Sequence, residues 1–200
     1  MKINDKTLEI ILEQFKLNTY FYPNKPDYGT DKGTSHSYIR GFYEENFKKY
    51  KTKDITLVEI GVRSGASLCL WKNYFSENSI IIGMDDLSDN TENNIPINEE
   101  WVSGSNVQYI IGNAYEDCAL KKLPNKIDIL IDDGPHTFES HVKLLQLYSD
   151  KMNEGGIIVI EDICYPHDNL FSYVDKKYQD YSLVYDFGGY DDKLIAINIR

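Results

Sequence analysis

The stretch IDILIDDGPHTF, residues 127–138, places two carboxylates and a histidine directly after an apolar run. Asp132 and Asp133 are adjacent, and His136 follows Asp133 by three residues. Carboxylates held this close raise each other's pKa unless a cation, a proton or a ligand compensates their charge. A solvated turn tolerates such a cluster, whereas a buried cluster indicates a binding site. The rest of the sequence has to decide between these two interpretations.

A second pair of acids, Glu161 and Asp162, follows another apolar run, in the stretch GGIIVIEDI. The carboxyl ends of neighbouring parallel strands meet at one edge of a sheet, so we expect this pair to lie beside Asp132 and Asp133. Four converging carboxylates require a cation. Because oxygen ligands select hard ions, Mg²⁺ is favoured, with Mn²⁺ or Ca²⁺ as alternatives, over zinc or copper.

A glycine turn follows the first apolar run, in VEIGVRSGAS. Gly61 and Gly65 have the spacing G-x-x-x-G, which differs from the dinucleotide fingerprint G-x-G-x-x-G. A turn that serves only to join a strand to a helix is therefore an alternative interpretation. We assign Gly61, Ser64 and Gly65 to a cofactor-binding turn.

Two further strand ends carry side chains suited to adenosine. Asp85 stands twenty residues after Gly65, where an acid can accept hydrogen bonds from both ribose hydroxyls. Asn113 follows the next apolar run and is positioned to meet an adenine edge. NAD and S-adenosylmethionine share this adenosine half. Glu59, two residues before Gly61, suits a ligand with an ammonium and a sulfonium better than a pyrophosphate, so S-adenosylmethionine is favoured.

The order of elements predicts an α/β, Rossmann-like sheet with helices on both faces, because strands and helices alternate along the chain. Near-continuous apolar runs predict parallel strands at 55–62, 79–85, 107–112, 126–132 and 156–162. Helices are expected at about 65–76, 115–122, 138–152 and 168–178, the last flanked by His167, and a loop is expected at 87–106. The stretches YSLVYDF and KLIAINIR predict an antiparallel hairpin that completes seven strands.

Two helices are expected before the first strand, near 6–17 and 36–50, the second with Thr34 or Ser35 as its N-cap. The link between them, YFYPNKPDYGTDKGTS, is rich in glycine, proline and tyrosine. This composition indicates either a cover over the site or a surface loop. We expect a single domain over residues 1–200, in which residues 1–53 form a helical cover.

The formal net charge of −11, without a basic run, argues against nucleic acid or an anionic membrane as a partner and favours a small molecule. Three cysteines without a C-x-x-C motif predict reduced thiols and a cytoplasmic location. No apolar run has the length of a membrane span. Lys32, Arg40 and Arg63 are candidates for meeting an anionic substrate. The sequence leaves open whether the chain forms a homo-oligomer.

These motifs resemble a family, the metal-dependent class I S-adenosylmethionine-dependent sugar O-methyltransferases of macrolide tailoring and of bacterial surface-polysaccharide clusters. The resemblance is carried by VEIGVRSGAS, Asp85, IDDGPH, GGIIVIEDI and the upstream stretch TDKGTSHSYIRGFYE. In that family the second acid of the D-D-G-x-H motif and the E-D pair bind magnesium, which implies Asp133, Glu161 and Asp162 as ligands. The histidine of the motif is the general base, which implies His136 as catalytic together with Asp133.

The resemblance implies methyl transfer from S-adenosylmethionine to a sugar hydroxyl of a nucleotide sugar or a glycoside, with Mg²⁺ or Mn²⁺ bound. Two alternatives stay open: methylation of a catechol-like phenol with the same cofactor and metal, and a non-catalytic protein that binds an adenosyl ligand. Asp132 is assigned to the cofactor site and is the alternative proton acceptor if His136 is not the base.

Overall fold

A computed structural model describes residues 6–24, 28–166 and 168–200; His167 and residues 25–27 of the predicted cover lie outside the described residues. The described chain forms one sheet of seven strands in the order β3-β2-β1-β4-β5-β7-β6. The strands are β1 Thr56–Ile60, β2 Ile80–Asp85, β3 Val107–Ile111, β4 Ile127–Asp132, β5 Met152–Ile160, β6 Ser182–Asp186 and β7 Lys193–Asn198.

The first five strands pair in parallel, and β7 runs antiparallel to both β5 and β6. The chain moves from β1 outward to β3 and then returns to β4 on the other side of β1. The strand order therefore reverses between β1 and β4, which is where open α/β sheets bind their ligands. The predicted mostly parallel sheet with a C-terminal hairpin is confirmed.

Alternating side chains of the strands build two separate cores, one on each face of the sheet. Leu57 belongs to a core shared with the N-terminal helices and the helix Ala66–Tyr74. Val58 belongs to a core on the other face, shared with the helices Asp117–Leu120, Phe138–Tyr148 and Asp168–Phe171. Because both faces are covered, the strands carry apolar residues at consecutive positions. This explains the near-continuous apolar runs and confirms helices on both faces.

The helices follow the predicted order. The structure differs at two places: the predicted loop 87–106 contains two short helices, and the predicted helix 168–178 is divided into two short helices. The predicted loop contains two short helices, α4 and α5, because Asn90 donates hydrogen bonds to the carbonyls of Arg63 and Ile95 and Asn98 caps the second helix. These helices are held by side-chain hydrogen bonds and have no apolar period to reveal them. The helices are α1 Leu8–Gln14, α2 Glu44–Phe47, α3 Ala66–Tyr74, α4 Ser88–Asn93, α5 Glu99–Val102, α6 Asp117–Leu120, α7 Phe138–Tyr148, α8 Asp168–Phe171 and α9 Lys176–Gln179.

The N-terminal region packs against the β1 and α3 side of the sheet. Its second helical segment begins with a π-helical turn at Ile39–Tyr43, and not at the predicted cap, because Thr34 lies in a tight turn in which its N–H donates to the Asp31 carbonyl. Aromatic side chains of this segment contact Trp71 of α3. Among the described residues, no helix combines the length and the apolar character needed to cross a membrane.

Candidate active site

A cavity of about 770 Å³ opens at the carboxyl ends of the central strands, at the point where the strand order reverses. Its lining includes the turns that follow β1, β2, β3 and β4, together with residues of the N-terminal region. Of the residues predicted for the site, six line this cavity: Gly61, Asp85, Asn113, Asp133, His136 and Asp162.

The turn after β1 requires glycine at position 61. Gly61 has φ +81°, and a Cβ built on it would lie 1.9 Å from the Asp133 carbonyl oxygen. Its own N–H donates to the Met84 carbonyl at 2.9 Å. The turn after β1 therefore lies directly against the turn after β4, and both border the cavity.

Backbone N–H groups hold Asp85 at the edge of the cavity. Its carboxylate accepts hydrogen bonds from the N–H groups of Val62 and Arg63, both at 2.9 Å, and of Leu87 at 2.7 Å. A carboxylate has about four acceptor positions, so one remains for a hydroxyl of a ligand. Asn113 lies exposed at the rim, where its side-chain oxygen accepts from the Tyr115 N–H at 2.9 Å. The roles of both side chains in cofactor binding stay predictions.

Asp133, His136 and Asp162 converge in the same cavity, with one donor atom of each lying within 4.8 Å of the others. His136 Nε2 is 3.9 Å from Asp133 Oδ1 and 3.6 Å from Asp162 Oδ2. His136 and Asp162 both have left-handed backbones, with φ +54° and +55°. Non-glycine residues adopt this conformation at an energetic cost that tends to be met at functional sites.

The electrostatics of this group favour a bound cation. Burial and the neighbouring Asp133 carboxylate together raise the pKa of Asp162 to about 6, although Tyr38 donates a hydrogen bond to Asp162 at 2.6 Å. A positive charge placed between the two carboxylates would offset this repulsion. The two carboxylates supply oxygen ligands, which fit a hard divalent ion such as Mg²⁺ or Mn²⁺.

Glu161 directly precedes Asp162 in the chain, but its side chain is buried in the protein interior. Its carboxylate accepts hydrogen bonds from the Lys32 ammonium and the Tyr43 hydroxyl, and it does not line the cavity. Burial raises the pKa of Glu161 well above its usual value. Its assignment as a metal ligand stays a prediction, and the described geometry does not bring its carboxylate into the group formed by Asp133, His136 and Asp162.

Glu59 also faces away from the cavity. Strand alternation places it on the same face as Leu57, where Trp71 Nε1 donates to it at 3.0 Å and Lys32 Nζ lies 3.5 Å away. Burial raises the pKa of Glu59 to about 7. The ammonium group beside Glu59 in this structure is that of Lys32, and contact of Glu59 with a cofactor stays a prediction.

Ser64 and Gly65 belong to the turn without lining the cavity. The Ser64 hydroxyl is buried and accepts from the Gly29 N–H at 3.2 Å, which ties this turn to the N-terminal region. Gly65 has φ +91° and directly precedes α3. Both residues shape the turn in this structure, and contact of either with a cofactor stays a prediction.

Asp132 faces the opposite side of the sheet from Asp133, so the four acids do not all converge. It is fully buried and accepts a hydrogen bond from the Tyr115 hydroxyl at 2.5 Å, while His141 Nε2 lies 4.0 Å from its other oxygen. Burial raises the pKa of Asp132 to about 6 and lowers the pKa of His141 to about 3. The alternation of side chains along a strand could have predicted this separation.

The three cationic side chains proposed to meet an anionic substrate have different surroundings. Lys32 is buried among acids, Arg40 is exposed and pairs with Glu9, and Arg63 lines the cavity with its Nε 2.7 Å from Asp89. Arg63 alone of these three borders the cavity. No local pattern indicates that Lys32, Tyr38 and Tyr43 reach the acids after β4 and β5, since the separations along the chain exceed one hundred residues.

Residues 58–163, just over half of the chain, match the protein family described as "Methyltransferase domain". The chain belongs to this family. The matched segment begins within β1 and ends just after Asp162, so it contains every strand-end turn that borders the cavity.

Two curated relatives of this methyltransferase domain extend the comparison. The chain is 30% identical over 146 residues to the 8-demethyl-8-alpha-L-rhamnosyl tetracenomycin-C 2'-O-methyltransferase of Streptomyces olivaceus, covering 68% of this chain and 35% of the relative. It is 36% identical over 123 residues to the uncharacterized protein R132 of Acanthamoeba polyphaga mimivirus, covering 56% of this chain and 53% of the relative. The aligned part thus spans about a third to a half of these relatives.

Among solved structures, the fold is similar to the MycE methyltransferase from the mycinamycin biosynthetic pathway in complex with Mg, SAH and mycinamycin VI. The TM-score is 0.67 at 18% identity, with 98% of this chain and 54% of that chain covered. This likeness confirms the predicted class I methyltransferase fold. The sequence similarity to the rhamnosyl 2'-O-methyltransferase confirms the resemblance to sugar O-methyltransferases.

Proposed function

We propose that the chain is an S-adenosylmethionine-dependent and divalent-metal-dependent O-methyltransferase that acts on a sugar hydroxyl. One observation carries the proposal: a single cavity joins the Gly61 turn and Asp85 to the group formed by Asp133, His136 and Asp162. A cofactor-sized space thus borders a cation-favouring cluster with a potential base. The relative named as a rhamnosyl 2'-O-methyltransferase and the MycE structure with Mg and SAH support the same assignment.

The cofactor is proposed to lie over the Gly61 turn, where it supplies the methyl group. Asp85 would accept hydrogen bonds from the ribose hydroxyls, and Asn113 would border the adenine. Glu59, Ser64, Gly65 and Asp132 were predicted as cofactor ligands from the sequence. Because they do not line the cavity, we propose that they hold the residues that do line it in position.

The metal is proposed to be held by Asp133 and Asp162, whose carboxylates face the cavity. A bound divalent cation would supply Lewis acidity that favours the deprotonated form of a sugar hydroxyl. His136 would accept the hydroxyl proton at Nε2, since an imidazole exchanges protons near neutral pH. Asp133 would hold the cation beside that hydroxyl and thereby orient the acceptor.

The acceptor is proposed to be a nucleotide sugar or a glycoside, in the tailoring of a glycoside or of a surface polysaccharide. The N-terminal region contributes Thr19, Thr30, Asp31 and Ser35 to the cavity wall. We propose that this region covers the acceptor and that it belongs to one domain with the sheet. Hydroxyl and carboxylate groups of this kind suit hydrogen bonds with a polyhydroxylated ligand.

A methyl-transfer screen with S-adenosylmethionine and Mg²⁺ tests the proposal. The acceptors are nucleotide sugars, simple glycosides and catechols, and mass spectrometry detects the added methyl group. We expect methylation of a sugar. Methylation of catechols alone would assign the phenol alternative, and binding of S-adenosylhomocysteine without transfer to any acceptor would favour a non-catalytic protein.

A further inference from the structure

A second cavity, of about 520 Å³, lies in the N-terminal region beside the candidate active site. Its floor is buried, since Leu12, Asn18 and Ile39 are 2%, 4% and 1% exposed. Exposed side chains form its rim: Glu9, Glu13, Tyr20, Thr34, Ser37 and Arg40. These residues are distinct from those that line the first cavity. The volume lies within the range of about 300 to 1,000 Å³ that is typical of small-molecule sites.

The two cavities share a thin wall. Thr19 lines the first cavity and Thr34 lines the second, and their side-chain oxygens are joined by a hydrogen bond of 3.0 Å. Ser35, the residue after Thr34, lines the first cavity again. The wall is therefore a single pair of side chains at this point, in the part of the first cavity to which we assign the acceptor. An acceptor that extends over Thr19 and Thr34 would enter the second cavity.

The lining of the second cavity combines apolar surface with hydrogen-bonding groups. Leu12 and Ile39 form an apolar floor, and the ring of Tyr20 is 52% exposed at the rim. The hydroxyls of Thr34 and Ser37 can each donate one hydrogen bond and accept others. A sugar needs both kinds of contact, because its ring carries C–H groups on its faces and hydroxyls around its edge.

The charges at the rim favour a neutral ligand. Glu9 and Glu13 outnumber the single arginine, Arg40. Arg40 donates a hydrogen bond to Glu9, so its charge is already compensated within the protein, and the Tyr20 hydroxyl donates to Glu13. A diphosphate would meet an excess of negative charge at this rim, which disfavours its binding. The rim therefore suits an uncharged sugar better than a nucleotide.

One buried acceptor at the floor has no partner. Asn18 Oδ1 makes no hydrogen bond within the part of the chain that the structure describes. A Cβ built on Gly33, which also lines the second cavity, would lie 3.3 Å from this oxygen. A buried acceptor without a donor destabilises the folded chain. A hydroxyl supplied by a ligand in the cavity would satisfy it.

We propose that the second cavity is a subsite for a neutral sugar unit of the acceptor, next to the unit that is methylated. The inference rests on the proposed function, because it needs a sugar in the first cavity. It goes further by naming the acceptor as a neutral saccharide of at least two linked units, and not a nucleotide sugar.

Saturation-transfer difference NMR tests binding of sugars to this cavity. The neutral probes are methyl glycosides of glucose, galactose, mannose and rhamnose and the corresponding disaccharides, and the anionic probe is UDP-glucose. Ser37→Trp places a large ring in the cavity from its exposed rim. Ser105→Trp is the matched control, because Ser105 is also exposed and lines neither cavity.

We expect at least one disaccharide to bind the parent. Ser37→Trp should weaken this binding by about tenfold or more, because the ring excludes one of the two sugar units, and Ser105→Trp should change it by less than about twofold. Failure of every disaccharide to bind the parent would overturn the proposal. Tighter binding of UDP-glucose that is lost in Ser37→Trp would overturn the assignment of a neutral sugar.

Asn18→Leu gives a second test that does not depend on filling the cavity. It nearly keeps the size of the side chain and removes the unpaired acceptor, so we expect a melting temperature at least about 2 °C higher and disaccharide binding about 2- to 10-fold weaker. Asn153→Leu is the control, since the Asn153 amide donates to Asp128 at 2.7 Å. It should melt no higher than the parent and bind sugar as the parent does.

Parental affinity for the disaccharide in both Ser37→Trp and Asn18→Leu would overturn the subsite. These measurements need no methyl transfer. Sugar binding that depends on Ser37, without methylation of any acceptor, would contradict the proposed function while the second cavity still binds sugar. Methylation of a methyl glycoside, with no disaccharide bound, would support the proposed function and overturn the subsite.

Discussion

His136 is the side chain on which the proposed proton transfer depends. Its Nε2 lies near oxygens of Asp133 and Asp162, and its left-handed backbone aims the imidazole into the cavity. A turn residue without a chemical role would need no imidazole at this position. The functional interpretation and the purely structural one therefore differ in what happens when only the ring is exchanged.

His136→Asn removes the proton acceptor and keeps a residue type that tolerates a left-handed backbone. We expect kcat to fall by roughly 100- to 10,000-fold, about 3 to 5 kcal/mol of barrier, with near-parental affinity for S-adenosylhomocysteine. The pH dependence of kcat should differ between the parent and the variant, because the variant lacks a proton acceptor at this position. Near-parental kcat with an unchanged pH profile would exclude His136 as the base. Asp132 could not replace it, because it is buried on the opposite face of the sheet, so a carboxylate that lines the cavity would have to accept the proton.

Asp85 and Asp86 are adjacent acids that both line the cavity, and only Asp85 is predicted to bind ribose. Asp85→Asn removes a charged acceptor, which should weaken S-adenosylhomocysteine binding by about 10- to 100-fold at 1.5 to 3 kcal/mol per lost bond. Asp86 instead accepts from Ser88 at 2.6 and 2.9 Å, so Asp86→Asn should change the affinity by less than about threefold. Calorimetry measures both, and equal losses would contradict the assignment.

At the scale of elements, the turn after β1 and the turn after β4 depend on each other. Gly61 and Gly155 have nearly equal φ values, +81° and +78°, but a Cβ on Gly155 would meet no heavy atom within 4 Å. Gly155 is therefore a matched control that carries the backbone cost of alanine without the steric clash. The comparison isolates the contact between the two turns.

Gly155→Ala should lower the melting temperature by about 2 to 8 °C, the effect of 1 to 2 kcal/mol of left-handed strain. Gly61→Ala should lower it by at least about twice as much, because the Asp133 backbone must also move. It should also weaken S-adenosylhomocysteine binding. Thermal melting and calorimetry measure the two effects. The predicted steric role of Gly61 would be wrong if both variants melted alike.

The packing of α7 on the sheet buries His141. This burial lowers the pKa of His141 to about 3. An unfolded histidine titrates near 6.5, so between these values the unfolded chain binds more protons than the folded one. The contribution of His141 is thus lost as the pH falls from about 6.5 towards 3. Asp132 has a pKa raised to about 6 in the folded chain, so between about pH 4 and pH 6 the folded chain binds more protons at this group than the unfolded chain. Its contribution to stability therefore changes with pH in the opposite direction to that of His141.

Comparison with His141→Gln separates these contributions, because the carboxylates are present in both proteins. The free energy of unfolding of the parent, measured relative to this variant by urea titration, should fall by on the order of 3 kcal/mol between pH 7 and pH 4. A constant difference over this range would show that the imidazole is not held neutral by burial.

At the scale of the whole molecule, the strand order places the proposed cofactor and metal halves of the site on opposite sides of β1. Asp85 follows β2, whereas Asp133 and Asp162 follow β4 and β5. The two halves therefore use different strands and different side chains around one cavity. Loss of the metal should affect the reaction without removing the cofactor.

Chelator should abolish methyl transfer, and added Mg²⁺ or Mn²⁺ should restore it, because the acceptor hydroxyl would lose its Lewis acid. The affinity for S-adenosylhomocysteine should change by less than about threefold in the same buffers, since Asp85 is not part of the metal group. Full turnover in excess chelator would contradict the proposed metal dependence and assign Asp133 and Asp162 another role.

The sequence alone determined the α/β order, the strand positions and the residues at each strand end. The reason is that strand burial and turn chemistry are local: the apolar run before Asp85 or Asp133 already indicates where the strand ends. Because parallel strands share an edge, the meeting of Asp133 with Asp162 also followed from sequence. The short helices α4 and α5 did not, since polar caps hold them.

Only the tertiary structure decided which acids face the cavity and which are buried. Asp132 turns to the opposite face, and Glu59 and Glu161 turn inward towards Lys32. Alternation along each strand is local, but the identity of the covering layer is not. Lys32 reaches Asp133 and Glu161 across 101 and 129 residues of chain, and such contacts arise from packing of the N-terminal region on the sheet, which no local pattern encodes.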